Sequence, residues 1–234
     1  MTDRTETQGG APANPAVRVP DEARLVIATH NRKKLVELRA ILGASGVDLP
    51  DGALVTSGGI GAPEPVEDGV TFAANALIKA RAVCAATGLP AVADDSGLAV
   101  DVLGGSPGIF SARWAGRHGD DQANLDLLLA QLADVRPEHR GAGFVCAAAL
   151  VTPGGTEEVR TGEMRGVLTL APRGTNGFGY DPILVPAEQP AADDGTPGTR
   201  TAAELTPEEK NAISHRGKAF RALAPLVVRA LSTS

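Results

Sequence analysis

Leu25-Val26-Ile27-Ala28 is a short apolar strand that runs straight into a helical pattern, with Leu35, Leu38, Ile41 and Leu42 on one face and Gly43 as its stop. Asn31 is the expected N-cap of that helix. A second helix spans about Phe72 to Thr87, with Gly88 as its C-terminal punctuation. Ala91-Val92-Ala93 then reads as a strand leading into an acidic turn, Asp94-Asp95-Ser96-Gly97, after which Leu98-Ala99-Val100 resumes extended structure. A further amphipathic helix covers 121–133 through Leu125, Leu128, Leu129 and Leu132. Phe144–Val151 and Glu158–Leu170 pair around a Pro153-Gly154-Gly155 turn. Strands and helices alternate early and strands pair locally later. The pattern predicts an α/β fold, with a mixed central sheet and flanking helices.

Residues 1–22 carry no apolar periodicity and read as a disordered tail, leaving a single domain over 23–232. Residues 50–70 and Gly104–Gly108 read as Gly/Pro loops, and 186–203 as a polar surface loop. Thr206-Pro207-Glu208-Glu209 is a strong helix start, and Ser214 opens a last helix running to about Leu231.

Composition narrows the classes of function. Apolar stretches such as Val145–Val151 are far shorter than the roughly 20 residues of a spanning helix, so no membrane partner is expected. No basic segment followed by an apolar one opens the chain, and Cys84 and Cys146 have no CxxC or Cys/His spacing. Buried thiols in a cytoplasmic protein are the expectation. A formal charge of -6 argues against a nucleic-acid polymer as partner. It leaves room for a small phosphorylated ligand, whose charge a few cations and a divalent metal can meet.

Five segments carry chemistry. Thr29-His30-Asn31-Arg32-Lys33-Lys34 lies at a helix start, where backbone N–H groups attract anions. Cations there cost about 0.3–1 kcal/mol each, a penalty that a bound phosphate reverses. A capped helix with solvated Lys and Arg is the plainer alternative, and the segment lacks the glycines of a Walker loop. In the acidic turn, adjacent strand residues point to opposite sides, so Asp94 and Asp95 do not share one job. The turn reads equally as a metal or water site and as Asp capping backbone amides. Glu67, within the acidic run Glu64–Asp68, would complete with Asp95 the one or two carboxylates that magnesium takes; a solvated acidic loop is the plainer alternative. In Gly177-Phe178-Gly179-Tyr180-Asp181-Pro182, glycines around an aromatic admit a flat ligand that Phe178 can stack on; a tight turn with core aromatics is the alternative. Lys210 and Ser214-His215-Arg216 place donors for carbonyl oxygens near a helix start, or simply surface charge.

In order and wording these segments are similar to the inosine/xanthosine triphosphate pyrophosphatase (ITPase-like) family. The matching text is LVIATHNRKKLVEL, TFAANALIKA, LPAVADDSGLAVDVLGGSPGIFSARWAG, GFGYDPIL and TAAELTPEEKNAISHRGKA, spread from Arg24 to Leu231. The resemblance implies two lobes around an active-site cleft, a homodimer, and Mg²⁺-dependent hydrolysis of dITP, ITP and XTP to the monophosphate and pyrophosphate. It implies that Thr29, His30, Asn31, Arg32, Lys33 and Lys34 bind phosphate and that Glu67 and Asp95 hold the metal. It also makes Asp95 the catalytic proton acceptor and Ser96 a substrate contact. Phe178, Gly179, Tyr180, Asp181, Lys210, His215 and Arg216 then recognise the purine. His30 stands where many relatives have glycine, and Glu188–Arg200 is longer than in compact relatives. A pyrophosphatase for modified pyrimidine nucleotides and a non-hydrolysing nucleotide sensor are the rival readings.

Overall fold

The computed structural model describes residues 17–30, 32–44, 46–47, 49–190 and 198–232, with the backbone alone at 32–34 and 37. The strands are β1 (Leu25–Ile27), β2 (Leu54–Thr56), β3 (Ala91–Val100), β4 (Gly141–Val151), β5 (Glu157–Leu168) and β6 (Leu184–Pro186). The α-helices are α1 (Arg32–Ala44), α2 (Ser57–Ile60), α3 (Phe72–Thr87), α4 (Asp121–Gln131), α5 (Pro207–Ile213) and α6 (His215–Ser232). They stop and start where the local chemistry dictates. Thr71 Oγ1 accepts from Ala74 N at 3.1 Å to open α3, and Gly88 N returns to Cys84 O to close it. Thr206 and Glu209 form a reciprocal capping box on α5, with bonds of 3.2 and 2.8 Å.

One six-stranded sheet runs in the order β2-β1-β3-β4-β5-β6, and it is mixed as expected. β1 lies parallel between β2 and β3, while β3 through β6 are antiparallel. Alternation along the strands sorts the core into two faces. Leu25, Ile27, Val92, Cys146, Ala148 and Leu150 meet Leu38 and Leu42 of α1 and Phe220, Leu223 and Val227 of α6. Val26, Ala91, Ala93, Ala147 and Ala149 meet Ala76, Ala80 and Val83 of α3 on the other face. Farther along the same strands, Leu98, Val100, Phe144 and Met164 pack with Leu125, Leu128 and Leu132 around α4. The long strands β3, β4 and β5 therefore run through two lobes.

Two close approaches fix how the lobes and helices sit. Arg140, 1% exposed, donates to Leu132 O at 2.7 Å, Leu168 O at 3.1 Å and Thr169 O at 2.9 Å. A cation thus meets carbonyls beyond the end of α4 and ties them to the end of β5. On β5, Gly162 lets α6 lie directly against the sheet: a Cβ there would collide with the His215 carbonyl and sit 2.6 Å from Ala219 N.

The structure corrects several expectations. Asp94-Asp95-Ser96-Gly97 is not a turn but the middle of β3, each residue paired with β4 from Asp94↔Ala148 to Gly97↔Val145. Turn-forming residues yield here to pairing along the whole of an apolar partner strand. The loop expected at 50–70 contains β2 and α2. The surface loop expected at 186–203 is buried at Gln189 and at Thr201–Ala203, because the Gln189 amide crosslinks the segment through Pro186 O and Arg200 O. Packing also begins before Arg24: Val17 and Val19 lie against the α3-side core, and Arg18 N donates to Ile60 O at 3.0 Å. The rest of the expected tail, residues 1–16, lies outside the described residues, as do Asn31, the expected cap, and 191–197.

Candidate active site

β1 and β2 end at the same level, with Ile27 opposite Thr56 on one side and Val92 of β3 on the other. β3 continues to Val100, so its acidic residues lie just past the C-terminal ends of the two short parallel strands. Such strand ends are where open α/β sheets bind ligands. The segments that follow those strands meet at this level. Ser57 Oγ donates to Thr29 O at 3.2 Å, and His30 Nε2 lies 3.8 Å from Glu64 Oε2. Thr29 and His30 are thus placed beside the acidic loop. Arg32, Lys33 and Lys34 form the first turn of α1, and their side chains lie outside the described residues.

On β3 the two aspartates part company, as their alternation requires. Asp94, 2% exposed, accepts from Arg216 Nε at 3.1 Å, and Arg216 Nη2 reaches Ser96 Oγ, on the same face, at 3.3 Å. Asp95 faces α3 instead. It accepts from Asn75 Nδ2 at 3.2 Å and from Lys79 Nζ at 3.4 Å, and the same ammonium lies 3.0 Å from Glu67 Oε1. Burial pushes the Asp95 carboxyl above the usual carboxylate range; Lys79 opposes that shift and Glu67 adds to it. For Lys79, burial alone would lower the pKa, but the fields of Asp95 and Glu67 outweigh it and hold the ammonium above its ordinary value.

This arrangement fits a hard divalent cation. Glu67 and Asp95 converge on one buried cation, the Lys79 ammonium, and beside them Asn75 Oδ1 is buried with no hydrogen-bond partner. Oxygen donors with one or two carboxylates suit a metal that keeps water or phosphate in the rest of its shell.

The opposite face of β3 opens into a cleft of about 710 Å³, lined by Ser96, Phe178, Lys210, His215 and Arg216, with Val36 and Ala40 of α1 on the other lip. Phe178 is 66% exposed. The loop beneath it is rigidly held. Asp181 Oδ2 accepts from Phe178 N at 2.8 Å and from Lys210 Nζ at 2.5 Å, and Gly179 N donates to Asp121 Oδ2 at 3.0 Å. Lys210 Nζ lies 5.3 Å from the Phe178 ring centroid, a cation–π distance. His215 stacks on Phe144, with centroids 5.1 Å apart. Tyr180 is buried, donates to Ser111 O at 2.9 Å, and has its phenol pKa pushed up by burial. It supports the loop from below. Gly97 is what lets β3 pass that support: a Cβ there would meet Ser111 Oγ and sit 2.5 Å from Gly108 O.

The structure thus gathers Ser96, Phe178–Asp181, Lys210, His215 and Arg216 at one cleft, and Glu67 with Asp95 on the reverse face of the same strand. Sequence reasoning missed Asn75 and Lys79. Their signal was there: polar residues four apart, on one face of an alanine-rich helix. Asp121, which holds the Phe178 loop from α4, had no local signal. A larger groove of about 950 Å³ at the far end of the sheet, lined by Leu89, Leu150 and Leu226 among others, contains none of these segments. Size alone does not choose the site.

Comparison with known proteins gives a consistent result. The model of the Ham1 family matches residues 25–226. The chain is 64% identical over 204 residues to a dITP/XTP pyrophosphatase of Streptomyces coelicolor, covering 87% of this chain and 96% of that protein. Among solved structures, a nucleoside-triphosphatase / dITP/XTP pyrophosphatase from Mycobacterium abscessus is 54% identical, with a TM-score of 0.68, covering 87% of this chain and 98% of that one. A HAM1 protein from Coxiella burnetii is 37% identical, with a TM-score of 0.75, covering 89% and 100%.

Proposed function

The chain belongs to the Ham1 family, and from that membership we propose that it hydrolyses the deaminated purine nucleoside triphosphates dITP, ITP and XTP, releasing the monophosphate and pyrophosphate. Relatives identical to it at more than half of the aligned positions bear the name dITP/XTP pyrophosphatase. One observation carries the reading on this chain. A cleft with an exposed aromatic and a set of hydrogen-bond donors backs onto a carboxylate pair, and a single strand separates the two.

Each residue then has a task. The backbone of Thr29–Lys34 at the start of α1, with Arg32, Lys33 and Lys34, receives the phosphates. Glu67 and Asp95 hold Mg²⁺, which when bound supplies positive charge to the phosphate oxygens. Asp95 orients the attacking water and accepts its proton, so that pyrophosphate leaves as the new bond to oxygen forms. Lys79, between the two carboxylates, offsets their mutual repulsion. Ser96 contacts the substrate.

Phe178 stacks on the base, held by Gly179, Tyr180 and Asp181 beneath it. Lys210, His215 and Arg216 donate to the 6-keto oxygen. The 6-amino group of adenine would leave those donors unpaired, which is the physical basis for its rejection. We extend the proposal to a homodimer working in the cytoplasm. Among the described residues no helix is long and apolar enough to cross a membrane.

The products provide the test. With dITP and Mg²⁺, anion-exchange chromatography is expected to show dIMP and pyrophosphate in equal amounts. Release of dIDP with orthophosphate would place the cut at the wrong bond and refute the proposal.

A further inference from the structure

Asp94 is the most deeply buried carboxylate at the site and has no task in the chemistry above. Its side chain is 1% exposed, against 16% for Arg216, its partner. The guanidinium is held at two points. Nε donates to Asp94 Oδ2 at 3.1 Å and Nη2 to Ser96 Oγ at 3.3 Å, from residues two apart on one face of β3. Two such bonds fix the plane of a guanidinium as one cannot. The anchor is itself anchored, since the Cys146 Sγ of β4 lies 4.0 Å from the same Asp94 oxygen and Cys146 sits opposite Ser96 in the sheet. At the other end, Ser214 Oγ accepts from Gly217 N at 3.0 Å and fixes the first turn of α6, which carries Arg216.

We propose that Asp94 is a positioning residue for substrate selection: it holds Arg216 at the purine 6-position and registers that contact to Asp95, the next residue, on the opposite face of the strand. The inference rests on the reading of the cleft as the base site. Its physical content is a fixed ruler. Consecutive Cα atoms are about 3.8 Å apart, and here one addresses the base-reading arginine while the next addresses the reaction centre. A purely structural tie between α6 and the sheet explains the pair less well, because a buried ion pair gives little net stability over apolar packing. An arginine released from its anchor regains its rotamers and no longer discriminates.

Asp94→Asn keeps the shape and one acceptor oxygen but removes the charge. Initial rates with Mg²⁺ are measured for this variant and for the unaltered protein on dITP and dATP. Positioning predicts that KM for dITP rises about tenfold or more with a smaller change in kcat, and that kcat/KM for dATP falls much less. The preference for dITP therefore shrinks about tenfold. Adding Arg216→Met to Asp94→Asn costs little further preference, because both act through one contact. An equal fall on both nucleotides would mark a structural tie and overturn the proposal. A preference retained by Asp94→Asn would overturn it too, leaving the functional reading intact. If the unaltered protein itself shows no preference for dITP, the functional reading fails and takes this proposal with it.

A second measurement does not depend on Asp94→Asn folding. In the ¹⁵N-labelled protein, the Arg216 Nε–H signal, assigned by its loss in Arg216→Lys, is expected to exchange slowly with solvent before any nucleotide is added. A rapidly exchanging Nε–H would show that the anchor does not hold, and would overturn the proposal.

Discussion

Asp95→Asn is expected to lower kcat on dITP by roughly 10³-fold, the middle of the range for removal of a positioned general base, while nucleotide binding remains measurable. Asparagine has nearly the same volume, and its amide oxygen can still accept from Lys79 or Asn75, the present partners of Asp95. What is lost is charge, and with it the proposed proton acceptor and metal-holding carboxylate. On the fold two effects oppose each other. Burial raises the pKa of Asp95 above the usual carboxylate range, so the stability it contributes is fully present only below its unfolded value and is lost as pH rises through the raised folded one. Neutral asparagine removes that cost, but it also takes one of two counter-charges from the Lys79 ammonium, which Glu67 still holds. A Tm within a few degrees of the unaltered protein's, alongside collapsed turnover, is the expected pair of results. Pyrophosphate release, equilibrium binding of dITP and thermal unfolding read the three quantities. Turnover near that of the unaltered protein would remove Asp95 from the catalytic role.

Gly162→Val should produce a large loss of stability. The atoms in its way are the His215 carbonyl and Ala219 N, both backbone of α6, so no side chain can turn aside to make room. The helix must lift from β5, or the strand must bend. Overpacking of this kind costs about 3 kcal/mol at the upper end of its usual range, which for a chain of this size is a fall in Tm of roughly 6–12 °C. Function should follow, because α6 begins at His215 and carries Arg216. KM for dITP is expected to rise more than kcat falls, since the base-reading side moves while Asp95 and Glu67, on the other face of β3, stay in place. An unchanged Tm, read by calorimetry, would mean that α6 does not depend on this contact.

Much of this was legible from the chain because local signals and tertiary demands agree. The bounds expected for Phe72–Thr87 hold, since Gly88 closes the helix in sequence as it does in space. Thr206 and Glu209 announced α5 in the same way. That Asp94 and Asp95 face opposite ways follows from strand alternation alone, whether the segment is a strand end or a turn. Nothing local could reveal that β4 pairs with β3 along its full length, and that pairing overrides the turn-forming preference of Asp, Ser and Gly. Lys79 was missed for a related reason. A lysine in an alanine-rich helix reads as solvated until Glu67 and Asp95, from two other segments, close on it at 3.0 and 3.4 Å. Arg140 was equally silent, since its partners are backbone carbonyls and carry no sequence signature.

Base selection on a Mg²⁺-dependent centre is the central claim, and one assay addresses it most directly. Pyrophosphate release is measured for dITP, XTP, dATP and dGTP at equal concentrations, each with Mg²⁺ and with excess chelator. Hydrolysis of dITP and XTP well above that of dATP and dGTP, abolished by the chelator, is the predicted result. Comparable rates on all four nucleotides, or rates indifferent to the chelator, would contradict it.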